Sequence, residues 1–177
     1  MILKSLIEAG EFMIYKEEKV SEVVFGTQDD IESWMELVNK VSWNFPGLET
    51  KEKLKEHEAT VLKFIEQKRA LCIKNKDNVV GVMLISKKHN MICCLAVDPD
   101  YRRKGIATKL MAVALNILDT TRDISVSTFQ EGDPKGIAPR TLYKRFGFQE
   151  AELIEEFGYP NQKFVLYAEN KDEEEKV

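Results

Sequence analysis

Residues 91–110 constrain the fold more than any other stretch of this chain. Seven apolar residues, Met91-Ile92-Cys93-Cys94-Leu95-Ala96-Val97, run without a break. A turn carrying Arg102, Arg103, Lys104 and Gly105 follows, and a helical pattern then opens with Ile106, Leu110, Val113, Ala114 and Ile117 in register. A strand that is apolar on both faces belongs in the middle of a sheet. A helix that opens directly from such a strand offers free N–H groups and a partial positive charge, and so receives anions. Gly105 and Ala107 carry little or no side chain, which lets a diphosphate approach the backbone, and Arg102, Arg103, Lys104 and Lys109 add positive field. This is not a Walker loop, because no Gly-Lys-Ser/Thr is present, nor a dinucleotide fingerprint, which needs G-x-G-x-x-G.

Around that segment the sequence reads as one domain. Ser21–Gly26 has strand character. Thr27, Asp29 and Asp30 offer caps for a helix with Ile31, Trp34, Leu37, Val38 and Val41 on one face. After Pro46-Gly47, Thr50 caps a long helix whose expected buried stripe is Leu54, Ala59, Leu62 and Ile65; Lys53 three residues on excludes a capping box. Strands are expected at Ala70–Lys74, Val79–Ser86 and Met91–Val97, then a helix over Gly105–Asp119 and a strand at Ile124–Phe129. A short helix over Pro139–Phe146 stops at Gly147, and two strands close the chain, one from Phe148 and one at Lys163–Ala168. A meander followed by strand–helix–strand–helix is an α/β arrangement, a single mixed central sheet flanked by helices. The expected division is an extension at residues 1–20 with a short helix and an added strand, a domain at 21–168, and a charged tail at 169–177 that frays.

Composition excludes several function classes. The 177 residues, 44% hydrophobic and 32% charged, suit one domain that closes a core without staples. No stretch reaches the roughly 18 apolar residues of a membrane span, and the first ten residues lack a signal-peptide cleavage site. Three cysteines, Cys72, Cys93 and Cys94, suggest reduced thiols in a cytoplasm rather than a disulfide framework. A net charge of −4 argues against general nucleic-acid binding and agrees with a cationic partner such as an amine.

The pattern Arg102-x-x-Gly105-x-Ala107, after a strand ending V-x-P-x-Y-R, resembles the acetyl-CoA signature of the GNAT family of N-acetyltransferases. Leu142-Tyr143-x-x-Phe146-Gly147-Phe148, about forty residues on, extends the resemblance, and the family's order of elements covers roughly residues 21–168. The resemblance implies the GNAT acyltransferase fold and acetyl-CoA as cosubstrate, with no metal. It implies that the strand before the loop and the strand Ile124–Phe129 splay apart. The pantetheine arm then pairs with backbone near Leu95, Ala96 and Val97, and the pyrophosphate meets Arg102 and the N–H groups of Arg103, Lys104, Gly105, Ile106, Ala107 and Thr108. Where the family often has asparagine seven residues before the tyrosine, this chain has Gly136; where it often has alanine four before, this chain has Pro139.

Amide formation from a thioester and an amine requires loss of a proton from the ammonium, a held oxyanion and a departing thiolate. The resemblance assigns the oxyanion to N–H donors of a bulged central strand and the thiolate to Tyr143. A phenol near pKa 10 and a thiol near 8.5 make full proton transfer uphill by about 2 kcal/mol, whereas a hydrogen bond to the developing thiolate needs no shift. Some family members place a glutamate where this chain has Met91, so the base is open. His89 lies in a polar turn. Glu155 and Glu156, in the expected Ala151–Tyr159 connection, are surface charges able to draw a cation. Cys93 and Cys94 put one thiol on each face of the strand and are expected to be structural; Trp34 and Trp43 are core or cleft walls. The resulting expectation is direct acetyl transfer to a primary amine, a small molecule or a peptide, with room for a homodimer. Two rivals are a non-catalytic acyl-CoA sensor and a protein lysine or N-terminal acetyltransferase.

Overall fold

The computed structural model describes residues 22–168; the readings made for residues 1–20 and for the tail fall outside them. β1 (Val24–Phe25) is a two-residue edge strand, shorter than expected, paired antiparallel with β2 (Ala70–Asn75). Between them run α1 (Ile31–Val41) and α2 (Lys51–Glu66). Thr50 caps α2 by accepting a hydrogen bond from the Lys53 N–H. Before α1, the Asp30 carboxylate accepts from both the N–H and the hydroxyl of Thr27 and pairs with Lys74 at 2.7 Å. The α2 stripe differs from the expected one. Ala59 is exposed, and the helix buries Val61 and Ile65. Val61 stands seven residues after Leu54 and four before Ile65, which keeps it on their face, whereas Ala59 points away.

β3 (Asn78–Ser86) and β4 (Met91–Val97) complete an antiparallel meander with β2. α3 (Ile106–Ile117) crosses to β5 (Ile124–Phe129), and α4 (Ile137–Arg145) leads to β6 (Gln149–Glu156) and β7 (Tyr159–Leu166). The hairpin was read differently from sequence: Ala151–Glu156 is strand, and Phe157-Gly158 alone is the turn. Both turn residues have positive φ, 54° and 72°, which lets two residues reverse a twisted ribbon. α4 also starts two residues earlier than expected. Pro139 is tolerated because the first-turn N–H groups have no partner inside the helix. At its other end Gly147, φ 88°, closes the helix. Its N–H bonds the Lys144 carbonyl at 3.0 Å and the Phe148 N–H bonds the Tyr143 carbonyl at 3.1 Å.

The sheet order is β1-β2-β3-β4-β5-β7-β6, so the all-apolar strand β4 is the fourth of seven, as its composition predicts. α1 and α2 cover one face through Trp34, Leu37, Val38, Val41, Val61 and Ile65. α3 covers the other with Ile106, Leu110, Met111 and Ala114, joined there by Tyr143, Phe148 and Phe164. Among the described residues no helix is long and apolar enough to cross a membrane.

Candidate functional site

The site is built on a gap in the sheet. β4 and β5 run parallel, yet only Met91–Ser125 and Ile92–Val126 are in register as partners. Beyond Ile92 the strands part, leaving the β5-facing backbone of Cys93–Val97 unpaired with its neighbour. A second irregularity lies at the point of parting. Leu84 faces Cys94 and Ile85 faces Ile92, so Cys93 is one extra residue, a β-bulge. The bulge resets the alternation of side chains. Ile92 packs on the α3 face while Cys94, two residues on, packs on the α1–α2 face. Leu95 and Val97 are half-buried and Ala96 is buried, so this length of β4 is backbone with an apolar lining. Both the splay and the bulge are what the resemblance implies.

At the open end of the gap stands α3. Asp98 caps the turn Pro99–Tyr101, Arg103 has φ 66°, and Gly105, φ 76°, is the last residue before the helix. The first helical bond runs from the Lys109 N–H to the Gly105 carbonyl at 3.0 Å, so the N–H groups of Ile106, Ala107 and Thr108 lie ahead of the ladder. A Cβ on Gly105 would meet no atom within 4 Å. The backbone conformation, and not crowding by the protein, is what calls for glycine there. Gly81 is different: a Cβ there would lie 2.4 Å from Ile106 Cγ2, so its absence lets the start of α3 sit down on β3. Arg102, Arg103, Lys104 and Thr108 are exposed and Ala107 is half-buried. Lys40 pairs with Asp98 at 2.8 Å and with Asp100 at 2.5 Å, so the two acids of the turn are matched by a cation from α1. Sequence reasoning missed Arg145. It comes from the last turn of α4 and donates to the Thr108 hydroxyl at 2.7 Å, adding a guanidinium at the first turn of α3.

Tyr143 comes from α4 and joins the core on the α3 side of the sheet. It is 4% exposed and packs on Phe148 and Phe164, with ring centroids 6.0 and 5.9 Å away. Its hydroxyl has no hydrogen-bond partner among the described residues. Burial pushes its ionisation well above the usual phenol range, and nearby Cys94 adds to the rise. A phenol in that state is a poor acid and a good neutral hydrogen-bond donor, the role that needs no proton transfer. The two thiols differ. Burial raises Cys94 to about 12. Cys93, at the bulge, is exposed, yet desolvation still raises its thiol, with Arg69 opposing the rise and Glu156 adding to it. Both are held as thiols, the unreactive form.

The remaining candidates separate. Trp34 is core at 1% exposure, while Trp43 is 65% exposed. His89 is exposed in the turn before β4, whereas its neighbour Asn90 is buried and structural. Glu155 and Glu156 stand at the end of β6. Glu156 accepts from Asn161 at 3.3 Å, and its charge adds slightly to the rise at the Cys93 thiol. Lys135 from the β5–α4 loop donates to the Trp43 carbonyl at 3.4 Å, and the Phe157 ring lies against Gly47. The α1–α2 loop therefore touches both the β5–α4 loop and the β6–β7 turn. Gly136 fits the same corner through its size: a Cβ there would stand 3.1 Å from Phe129 Cβ and 3.2 Å from Arg140 Cδ, so an asparagine would need rearrangement. Among the described residues no cluster of His, Cys, Asp or Glu could hold a metal ion.

Comparison with known proteins agrees with this layout. Residues 66–150 match the model of an acetyltransferase (GNAT) domain. The chain is 28% identical over 169 residues to UPF0157 protein YqkA of Bacillus subtilis (strain 168), covering 92% of this chain and 45% of that one. It therefore spans about half the length of that curated relative. Its fold is similar to a crystal structure of a GNAT-family acetyltransferase from Bacillus cereus ATCC 10987, with TM-score 0.65 and 18% identity, covering 82% of this chain and 96% of the other. PaiA N-acetyltransferase from Thermoplasma acidophilum, solved in complex with coenzyme A, is similar with TM-score 0.59 and 15% identity, covering 80% and 96%. At such identities the two structures speak for the fold.

Proposed function

We propose that this chain, whose residues 66–150 match an acetyltransferase (GNAT) domain, moves the acetyl group of acetyl-CoA to a primary amine by direct attack in a ternary complex. The observation that carries the reading is the β4–β5 gap, with the unpaired N-terminus of α3 at its mouth and the Cys93 bulge at its root. In this reading the pyrophosphate takes the N–H groups of Arg103–Thr108, with Arg102, Lys104 and Arg145 around it. The pantetheine arm takes the place of the missing strand beside Leu95–Val97. The thioester carbonyl then lies near the bulge, where backbone N–H groups face the developing oxyanion. Tyr143 donates a hydrogen bond to the departing sulfur. Met91 supplies no carboxylate, so the ammonium loses its proton to water or to a group outside β4.

In this reading the loop contacts that link Trp43 to Lys135 and Gly47 to Phe157 close over the approach to the bulge. That favours a small amine over an extended peptide, and the acids Glu155 and Glu156 favour a cation. The deciding experiment is calorimetric titration with acetyl-CoA, followed by thiol release with a panel of small amines, lysine peptides and free peptide N-termini. Binding with thiol release on small amines supports the reading. Release on peptides alone moves it to the protein-modifying alternative, and binding without release on any acceptor moves it to a sensor.

A further inference from the structure

Arg140 is buried, 7% exposed, and both terminal nitrogens of its guanidinium are hydrogen-bonded. Nη1 donates to the carbonyl of Phe129 at 3.2 Å and to Gln162 Oε1 at 2.7 Å. Nη2 donates to Glu150 Oε1 at 2.6 Å. The plane lies over the Phe164 ring, 5.1 Å from its centroid. One side chain of α4 thus grips the last residue of β5 and residues of β6 and β7. Filling that space needs no charge, and taking a guanidinium out of water costs several kcal/mol unless it is fully paired. What the planar fork adds over an apolar filler is direction, because each bond fixes its orientation against a different strand.

The residue whose direction is at stake lies three positions on, on the same helix face. The Tyr143 hydroxyl has no partner among the described residues, so its place is set by how α4 is turned and by the rings it touches. One of those rings is Phe164, the one Arg140 covers on its own account. We propose that Arg140 is a positioning residue for Tyr143, holding α4 in the rotation that brings the phenol to the departing thiolate. This rests on the acetyl-transfer reading above and names a residue that makes that reading work.

The test is a double-mutant cycle on thiol release, with acetyl-CoA affinity measured for every variant. Arg140→Lys keeps the charge but reaches one acceptor in place of three; Arg140→Met keeps the packing volume. Turnover should fall about 10- to 100-fold in each, since small displacements of a reacting group cost that much. Acetyl-CoA affinity should stay within about threefold, which also reports that the domain is folded. In the Tyr143→Phe background the same Arg140 substitutions should change turnover by less than about twofold, because the two residues act through one hydroxyl. An undiminished Arg140 effect in that background overturns the inference while leaving acetyl transfer intact. Full turnover in Tyr143→Phe itself overturns both the positioning role and the role of the phenol. Absence of acetyl-CoA binding in the parent chain overturns the functional reading and this inference with it.

Discussion

Tyr143 is the residue on which the proposed chemistry turns. The motif Leu142-Tyr143-x-x-Phe146-Gly147-Phe148 marks it in the sequence, and the fold buries it among Phe148 and Phe164 with its hydroxyl unpartnered. Tyr143→Phe removes that hydroxyl and preserves the packing. Turnover is expected to fall about 10² to 10⁴-fold, the scale of a positioned proton donor, with acetyl-CoA affinity within about threefold. The upward shift of the phenol fixes the sign of the pH dependence. Tyr143 keeps its proton beyond the usual phenol pKa, so turnover should rise toward the amine's own pKa and show no falling limb up to about pH 10. Steady-state rates against pH check both statements. For the thiols, intact mass after mixing with acetyl-CoA alone should show no stoichiometric acetyl adduct, since burial raises Cys94 to about 12 and desolvation also raises Cys93. An adduct on either cysteine that passes to an amine would replace direct attack by a two-step route. Residues of equal weight were not legible. Arg140, Arg145 and Asn90 read as ordinary polar residues because their partners lie 10 to 37 positions away.

At the scale of elements, most of the fold was legible, for a physical reason: periodicity and capping are local. β4, β5 and the start of α3 fall where apolar runs, the basic turn and Gly105 put them. The resemblance implies a bulge in β4, but its place at Cys93 was not readable, because an extra residue in a strand apolar on both faces leaves no break in the pattern. The long β6–β7 hairpin was misread for the opposite reason. β6 is exposed along much of its length, so the acids of Ala151–Glu156 look like a loop. The α3 N-terminus yields a prediction in which charge and backbone strain separate. Gly105→Ala and Gly105→Glu both place an L-residue at φ 76°, a cost of about 1–2 kcal/mol in stability. Only glutamate adds a negative charge where the diphosphate is proposed to sit. Calorimetry should show acetyl-CoA binding weakened at least about tenfold, roughly 1.4 kcal/mol, by glutamate, and less than about threefold by alanine. Equal affinities in both folded variants would remove the pyrophosphate from this turn.

The whole molecule is a sheet in two halves, β1–β4 and β5–β7, joined along two residue pairs of β4 and β5. Asn90 closes that joint. Its Nδ2 donates to the carbonyls of Asp119, Arg122 and Asp123, its Oδ1 accepts from the Asp119 N–H, and its own carbonyl accepts from the Ser125 N–H. At 1% exposure and φ 49°, it also occupies a conformation that asparagine tolerates better than most residues. Asn90→Ala leaves those backbone groups without a side-chain partner, and thermal or denaturant unfolding should show a loss of about 2–4 kcal/mol. A loss under about 0.5 kcal/mol, the range of ordinary surface substitutions, would mean that the halves are held elsewhere. The joint has a consequence for the meaning of ligand binding in this fold. A sheet parted along most of one seam has an unfinished interior, and a coenzyme bound there as proposed would act as part of the architecture as well as a reagent. Stability and occupancy are then one equilibrium: at a hundredfold excess over its dissociation constant, acetyl-CoA should add about 2.7 kcal/mol to the folded state. Hydrogen exchange should report this in a particular place, slowing most at the amides of Cys93–Val97 and at the first turn of α3, while β1 and β2 keep their unliganded rates. A chain of this design is expected to be at its loosest between turnovers, when the seam stands empty.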